Sequence, residues 1–557
     1  LKKFKLGACA AIVVGALIYM FVKAPNINPL YPEGAFFWCV LITAFTLVWV
    51  IARFGSVFTQ AAEQATSPSL LIPFLKLPKL PKALLVAPWA LFFAVVIGSS
   101  VFFHWKAYRD QLGEPIVKKF SSEIQVVDTN QIPVVDRALA IKLADKKLGE
   151  KPSLGSQVYI GEPVIQMVND KLVWVVPLHH SGVFKWLTNM SGTPGYVVVS
   201  ATNVNDVQYV EDFKIKYHPN SYLIHDLNRH IRLSGEWMEG ITDDSFELDD
   251  NGQPYWVVST YKYTRGFALP ETTGAIIVNA TTGEMEKYSI EEMPEWVDRV
   301  QPEDFILRQI TNKGEYVNGI FNFSDKDKYR PSEGHNIIYN NGDCYLFTGL
   351  TSVGSDESAI GFIMVNMVTK EPHLYQMNGA TEEAAQSSAQ GKVQHLGYKA
   401  SFPIIINVDG QPTYFMTLKD AEGLIKQYAF VNVSNYSSVG VGETIQAAMR
   451  DYRVVMSGAG MNTDFEDGGE LTDVQGTVLR IASEYNGSET VYKILLSGDQ
   501  DKIFVVSAGV SQELALTQPG DHVSLSYYDL GGPIFQGESF DNFSFGEDAV
   551  VPAEPAA

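Results

Sequence analysis

The side chains best suited to chemistry near neutral pH are the histidines, and they cluster. His179 and His180 are adjacent, while His218, His225 and His230 follow within KYHPNSYLIHDLNRHIRL beside Asp226. Imidazoles so placed could ligate a metal or titrate near pH 6. Neighbouring residues of a strand point to opposite faces, so His179 and His180 cannot readily share one ion. Neither a His-Glu-x-x-His nor a Cys-x-x-Cys accompanies them, and a structural role is the expectation for all five. The acidic stretches FSDKDKYRPSE (Asp325, Asp327, Glu333) and NTDFEDGGE (Asp464, Glu466, Asp467, Glu470) offer oxygen ligands of the calcium-loop kind. Neither combines a sixth-position glycine with a closing glutamate at twelve, so solvated turns are expected. There is no Gly-x-Ser-x-Gly, Walker loop or dinucleotide fingerprint, and Cys344 has only His335 near it in the chain. No catalytic residue, cofactor or metal is therefore expected, and the chain does not read as an enzyme.

Aromatic side chains recur in a second pattern. Trp174, Tyr255, Trp256, Tyr345 and Tyr414 each sit in a strand that begins beside an Asp/Asn/Gly turn. These strands could form a ligand-stacking or interaction surface, although alternating aromatics on a half-buried sheet more often face a core. They belong to an internal repeat. DKLVWVVPL leads to GYVVVSATNVNDVQYV, NGQPYWVVSTYKY to GAIIVNATTGEMEKYSI, NGDCYLFTGL to GFIMVNMVTKEPHLYQM, and DGQPTYFMTL to YAFVNVSNYSSV. Each copy predicts a hairpin within a small antiparallel sheet. Helical patterns lie between copies, as in VDRALAIKLADKKLG, where Val135, Leu139 and Leu143 form one apolar stripe.

A helix followed by a hairpin ending in Thr-Gly-Glu resembles the PepSY type of module, a small extracytoplasmic α+β unit. GAIIVNATTGEMEKY (274–288) carries the resemblance best, and the other copies depart from its Thr-Gly-Glu turn. The resemblance covers 130–440 in pieces. It implies binding, in peptidase inhibition or localisation, and supplies no catalytic residue. Residues 397–433 also look like segments of uncharacterised bacterial or phage membrane proteins.

The elements that hold these units begin in a membrane. Leu6–Val22, 36–52 and 83–103 are uncharged stretches, each of roughly the ~20 residues that a ~30 Å hydrocarbon core requires. LLIPFLKLPKLPK (70–82) reads as an interfacial segment, and Pro88 lies about one turn inside the third span, where a helix start or a kink tolerates a missing N–H. Residues 105–130 read as a helical stalk. Basic residues flanking the spans favour a cytoplasmic N-terminus, with the large region outside the cytoplasm. Residues 1–104 carry a balance of +6 and the remainder −27. Such an acidic region repels phosphate backbones, so nucleic acid is excluded as a partner.

The resulting expectation is an α+β multi-domain ectodomain on three N-terminal transmembrane helices. The anchor takes 1–104, the stalk 105–130, and the four units 131–217, 218–300, 301–380 and 381–456. A small OB-like or SH3-like β-barrel follows at 471–530, with a partly disordered tail at 531–557. The partners expected are the lipid bilayer, other copies of the chain in a homo-oligomeric scaffold, and other envelope or virion proteins. The alternative is an ectodomain that senses a ligand or regulates a peptidase through a membrane partner.

Overall fold

The computed structural model describes residues 2–64, 77–120, 124, 132–340, 342–353, 359–458, 471–485, 490–528 and 534–545. Helices α1 (Lys2–Lys23), α2 (Pro32–Gln64) and α3 (Lys79–Gly98) come first, and each contains a stretch long and apolar enough to cross a membrane. Trp89 Nε1 on α3 donates to Thr43 Oγ1 on α2 at 2.9 Å. The third span begins at Lys79, four residues before the uncharged stretch, so of the two settings expected for Pro88 the helix interior is the one found. Much of the expected interfacial segment, 70–76, lies outside the described residues, and Lys79–Lys82 are helical.

The chain breaks at Ser99–Ser100 and continues as α4 (Val101–Asp110). The helical reading of 105–130 holds to Asp110 and fails at the strand Ile116–Lys118, while 121–123 and 125–130 lie outside the described residues. Gly113 adopts φ +89° and Pro115 removes a donor. Strand β1 (Ile116–Lys118) then pairs in parallel with His373–Tyr375 of the third unit, so this segment is woven into the ectodomain.

The four repeats share one plan: a four-stranded antiparallel meander, preceded by a helix. In the first, α5 (Arg137–Gly149) precedes β2 (Val158–Ile160), β3 (Val164–Val168), β4 (Lys171–His180), β5 (Thr193–Ser200) and β6 (Val207–Ile215), with α6 (Val183–Thr188) between β4 and β5. The second has α7 (Leu227–Leu233), β7 (Gly240–Leu248), β8 (Pro254–Arg265), β9 (Ala268–Asn279) and β10 (Met285–Ser289). The third has α8 (Glu303–Glu315), β11 (Tyr329–Pro331), β12 (Asn336–Asn340), β13 (Asp343–Ser352), β14 (Ala359–Asn366) and β15 (Pro372–Gly379). The fourth has α9 (Glu382–Lys392), β16 (Lys399–Ala400), β17 (Ile404–Val408), β18 (Gln411–Lys419), β19 (Ile425–Asn432) and β20 (Val439–Gly442), and α10 (Ile445–Gly458) packs on its outer strands. Tight turns set the register. Asn169 and Asp170 join β3 to β4 with positive φ, as Asp409 and Gly410 join β17 to β18, which is the two-residue hairpin geometry that twisted strands favour.

The same hydrogen bonds recur at the end of each third strand. Ala201, Ala280, Met367 and Val433 accept through their carbonyls from backbone N–H groups of the segment that leads into the unit's helix. Ser200, Asn279, Asn366 and Asn432, one residue earlier, cap the following turn with their side chains. Each helix entry is thereby sewn to its own sheet.

Successive units pack face to face. One core joins Val173 and Val175 of the first sheet to Ile231, Trp256 and Val278 of the second; another joins Phe347 and Met364 of the third to Ala385, Met416 and Val431 of the fourth. Between the second and third, Val257 and Ile277 are covered by Trp296, Val297 and Val300. The row closes on itself, because Lys419 of the fourth unit pairs with Asp136 of the first and Lys142 of the first donates to the Glu422 carbonyl. The first meander strands, β3, β7, β12 and β17, border a shared central cavity. Meanders arranged with the first strand innermost follow the plan of a β-propeller, here with a helix added to each blade.

By compactness the described chain divides into two units, 1–459 and 460–557, so the four repeats form one body. The second unit contains β21 (Leu471–Tyr485), β22 (Thr490–Leu496), β23 (Asp499–Ser507), β24 (His522–Tyr528) and β25 (Ile534–Asn542) around Phe504, Val506 and Leu525. Their order is β21-β22-β23-β25-β24, and β24 pairs back to β21 to close the barrel. The last strand lies in what was read as tail. Within it IFQGESF carries the last strand, Ile534–Asn542, and 529–533 lie outside the described residues. Residues 546–557 lie outside the described set.

Candidate functional site

The central cavity has a volume of about 1120 Å³. Its charged lining comes from three units: Asp136, Arg137 and Glu162 from the first, Asp243, Asp244 and Arg299 from the second, and Glu303, Asp304 and His335 from the third. The fourth contributes Phe402, Ile404 and Phe415 to Thr417. Six carboxylates against two guanidiniums make this an acidic cavity.

Local structure explains how the acids reach it. Asp243 is the extra residue of a β-bulge in β7, where the pairing with β8 slips between Thr242 and Asp244. Its φ of +47° is an uncommon conformation for a residue with a Cβ. Bulges re-aim side chains, and here two successive aspartates both line the cavity instead of alternating across the sheet. Glu303 and Asp304 open α8, where the helix N-terminus favours negative charge.

The electrostatics differ from acid to acid. Burial by surrounding protein pushes Asp244 up to about 6, helped by the charge of Asp243. Asp243 is also raised, by burial first and by Glu303 and Asp304, against the pull of Arg299. Both aspartates are nevertheless open to solvent, as carboxylates facing a cavity are. Burial alone would raise Glu303 as well, but His335 Nε2, 2.7 Å from its Oε2, and the paired Arg299 guanidinium hold it down at about 2. Arg299 is set in turn by a knot joining three units. Asp298 accepts from Met167 N–H at 2.8 Å and from Tyr339 O–H at 2.8 Å, while its own N–H donates to Glu247 Oε2 at 2.8 Å. Burial, first among causes, raises both Glu247 and Asp298.

A chain of imidazoles ends at the same cavity. His179 Nδ1 is 2.8 Å from His218 Nδ1, and His218 Nε2 is 3.5 Å from His180 Nδ1. His179 and Pro219 line the cavity. The fold thus brings together histidines that lie 38 and 39 residues apart. They meet through opposite nitrogens of His218, so one ion cannot be held by all three. Among the described residues no group of three or more His, Cys, Asp or Glu side chains has metal-binding geometry. His225 accepts from Trp186 Nε1 at 3.0 Å, and His230 Nε2 lies 2.8 Å from the Gly283 carbonyl. Burial lowers His179 to about 4 and His218 to about 3, and lowers His180 as well. All three are neutral at pH 7. The acidic stretch 464–470 lies outside the described residues.

The repeated aromatics divide between core and cavity. Trp256, Tyr345 and Tyr414 are only 3%, 6% and 4% exposed, so they do not form an outer surface. Trp174, Trp256 and Tyr414 occupy equivalent registers, opposite Val199, Val278 and Val431. Their polar atoms donate to the Val135, Tyr217 and Ala380 carbonyls at 2.7, 2.8 and 3.1 Å, fixing each helix entry. Leu346 stands at this register in the third unit, opposite Val365. Half-buried Tyr255 packs on Trp296 at 5.0 Å between ring centroids. Of the five aromatics, Trp174 and Trp256 also line the cavity. Sequence reasoning missed Asp243, Asp244, Arg299, Glu303 and Asp304. The one available signal was the adjacent aspartates of ITDDSFEL, which interrupt strand alternation.

No family model matches the chain, and no curated protein does. Among solved structures, similarity is found to an endo-1,4-β-xylanase of Bacteroides thetaiotaomicron VPI-5482 (12% identity, 51% of this chain and 76% of that one, TM-score 0.16). A levansucrase mutant of B. megaterium matches at 10% identity over 74% and 96% (TM-score 0.18), and a Trypanosoma rangeli sialidase at 8% over 69% and 52% (TM-score 0.15). At these TM-scores the likenesses carry no argument about fold or activity.

Proposed function

We propose that this chain is a membrane-anchored, extracytoplasmic binding protein whose central cavity takes a cationic ligand, such as a polyamine or the basic side chains of a peptide. The observation that carries the reading is the pair Asp243–Asp244, turned into an acidic cavity by a strained bulge. At about 1120 Å³ the cavity is large for one ammonium group and slightly above the ~300–1,000 Å³ of small-ligand sites, room for an extended polycation. The role is binding and not catalysis. The PepSY-type resemblance points the same way. Titration calorimetry of the full chain in detergent with spermidine and with an oligolysine peptide tests it. Binding should weaken at least about tenfold in Asp243→Asn/Asp244→Asn. Equal affinity in that variant, no binding of either probe, or turnover of a bound probe would each overturn the reading.

The orientation belongs to the same proposal. The 24–31 connection and the 99–111 segment both meet the second unit, through Ile27 N–H to Trp237 O (3.0 Å) and Gln111 Nε2 to Pro270 O (2.7 Å). Three crossings put these segments on one side, which agrees with a cytoplasmic N-terminus and an external ring. Protease added to intact spheroplasts should digest the ring; complete protection would reverse the orientation.

A second reading is assembly into a homo-oligomeric scaffold, with other envelope proteins as further partners. Its support is that β6 and β10 end their sheets as open outer edges, and such edges can pair between copies. Light scattering in mild detergent should then give a multiple of 61.6 kDa. For the barrel, the strand order with its parallel β23–β25 contact supports the OB-like reading, and its acidity favours contact with protein over nucleic acid.

A further inference from the structure

The most exposed large apolar side chains of the ring are gathered in two places, and both adjoin the anchor. Helix α6 leaves Phe184 79% and Leu187 52% exposed, and Leu223 and Ile224, just before α7, are each 54% exposed. These groups form one patch, because buried Trp186 of α6 packs on Tyr222 with ring centroids 5.7 Å apart. Arg229 ties the patch to the first span. Its Nε donates to the Phe21 carbonyl at 2.6 Å and its Nη2 to the Val22 carbonyl at 3.3 Å, while Nη1 donates to Leu223 O. Phe21 and Val22 are the last apolar residues of α1, so Leu223 is held at the end of a membrane-crossing helix.

The second place is the loop after α8, where Phe321 is 70% and Phe323 86% exposed. Gly319, two residues before Phe321, lies against the ring of Trp105, and Tyr108 packs edge-on to Tyr316 at 6.3 Å between ring centroids. Trp105 follows Phe102 and Phe103, themselves exposed, just beyond the third span. Contiguous apolar patches of this kind are rare on a surface that meets only water. Here both are continuous with helices that run into lipid.

We propose that α6 with Leu223–Ile224, and the Phe321–Phe323 loop, rest in the lipid interface, so that the ring lies on the bilayer on two apolar feet. The occupant is the boundary between headgroups and acyl chains on the ring's side of the membrane. Large apolar and aromatic side chains settle there, and Lys185 on α6 reaches phosphates from the same helix. A ring held in this way cannot swing about its anchor, which fixes the direction in which it meets a partner.

The test uses the unaltered chain in nanodiscs of phosphatidylethanolamine and phosphatidylglycerol containing a lipid with a photoactivatable acyl chain. After irradiation, adducts are mapped by peptide mass spectrometry. Adducts on 183–190 and 319–324, several-fold above those on the loop around Tyr436, which is 51% exposed on the fourth unit, are expected. Adducts confined to α1–α4 would overturn the proposal. So would protection of both segments that grows with the number of chains per disc, which would assign the patches to a second copy. As a separate check, Phe184→Ser/Phe323→Ser should lower labelling of both segments while the melting temperature in detergent is unchanged. Labelling that stays the same counts against lipid contact.

Discussion

At the scale of single residues, burial decides which protons this protein can hold. His179, His180 and His218 are neutral in the fold because charging any of them would desolvate it beside its neighbours. A folded pKa below the unfolded value of about 6.5 means full stabilisation above that pH, lost as pH falls through about 6.5 toward 4 and 3. Buried acids such as Glu247 act in the opposite sense, so the comparison must be with a variant. His218→Gln should flatten the fall in stability between pH 7.5 and 4.5 by on the order of 2 kcal/mol in denaturant titrations, and an unchanged pH slope would remove the histidines as its source. Asp244 makes a second prediction. With its pKa at about 6, its charge is present at pH 7 and lost below 6, so spermidine affinity should drop by up to about tenfold per pH unit under 6. In Asp244→Asn that dependence should shrink, leaving only the part due to Asp243, whose carboxyl is also raised. Glu303, held at about 2 by His335 and Arg299, stays charged throughout.

At the scale of the element, the unit is held by its turn and its helix entry more than by the aromatic surface that the repeat suggests. Asn279 Oδ1 accepts from the N–H groups of Thr281 and Thr282 at 3.0 and 2.9 Å. Asn279→Ala should cost about 1–2 kcal/mol, as other lost caps do, and equilibrium unfolding would measure it. Trp256→Phe keeps most of the apolar volume but strands the buried Tyr217 carbonyl, for a further ~1–3 kcal/mol. The matched change Trp174→Phe, at a half-buried site, should cost less. Equal costs at the two positions would argue against the carbonyl contact as the cause. The hairpins, their aromatics and the intervening helices were legible because β-turn residues and strand alternation are local signals. The bulge at Asp243 was not legible, since a slipped register depends on the partner strand and leaves no periodic trace of its own.

At the scale of the whole molecule, the described chain divides into two compact bodies. The barrel has its own core around Phe504, which is fully buried, and the ring is closed by contacts between its first and last units. Two calorimetric transitions are expected. Phe504→Ala should lower only the smaller one, by about 3–5 kcal/mol. A shift of both transitions together would mean that the barrel and the ring unfold as one.

The sequence alone determined what depends on neighbours along the chain. Three apolar stretches of membrane-crossing length, an acidic remainder and a fourfold repeat of strand grammar can all be read without knowing what packs against what. The ring and its cavity required the tertiary structure, because closure rests on contacts such as Lys419 with Asp136, 283 residues apart. The same holds for the site. His179 and His218, or Asp243 and Glu303, become neighbours only when separate units present their inner strands and helix starts to a common centre. The charge states there follow from that shared burial, which no local spacing encodes.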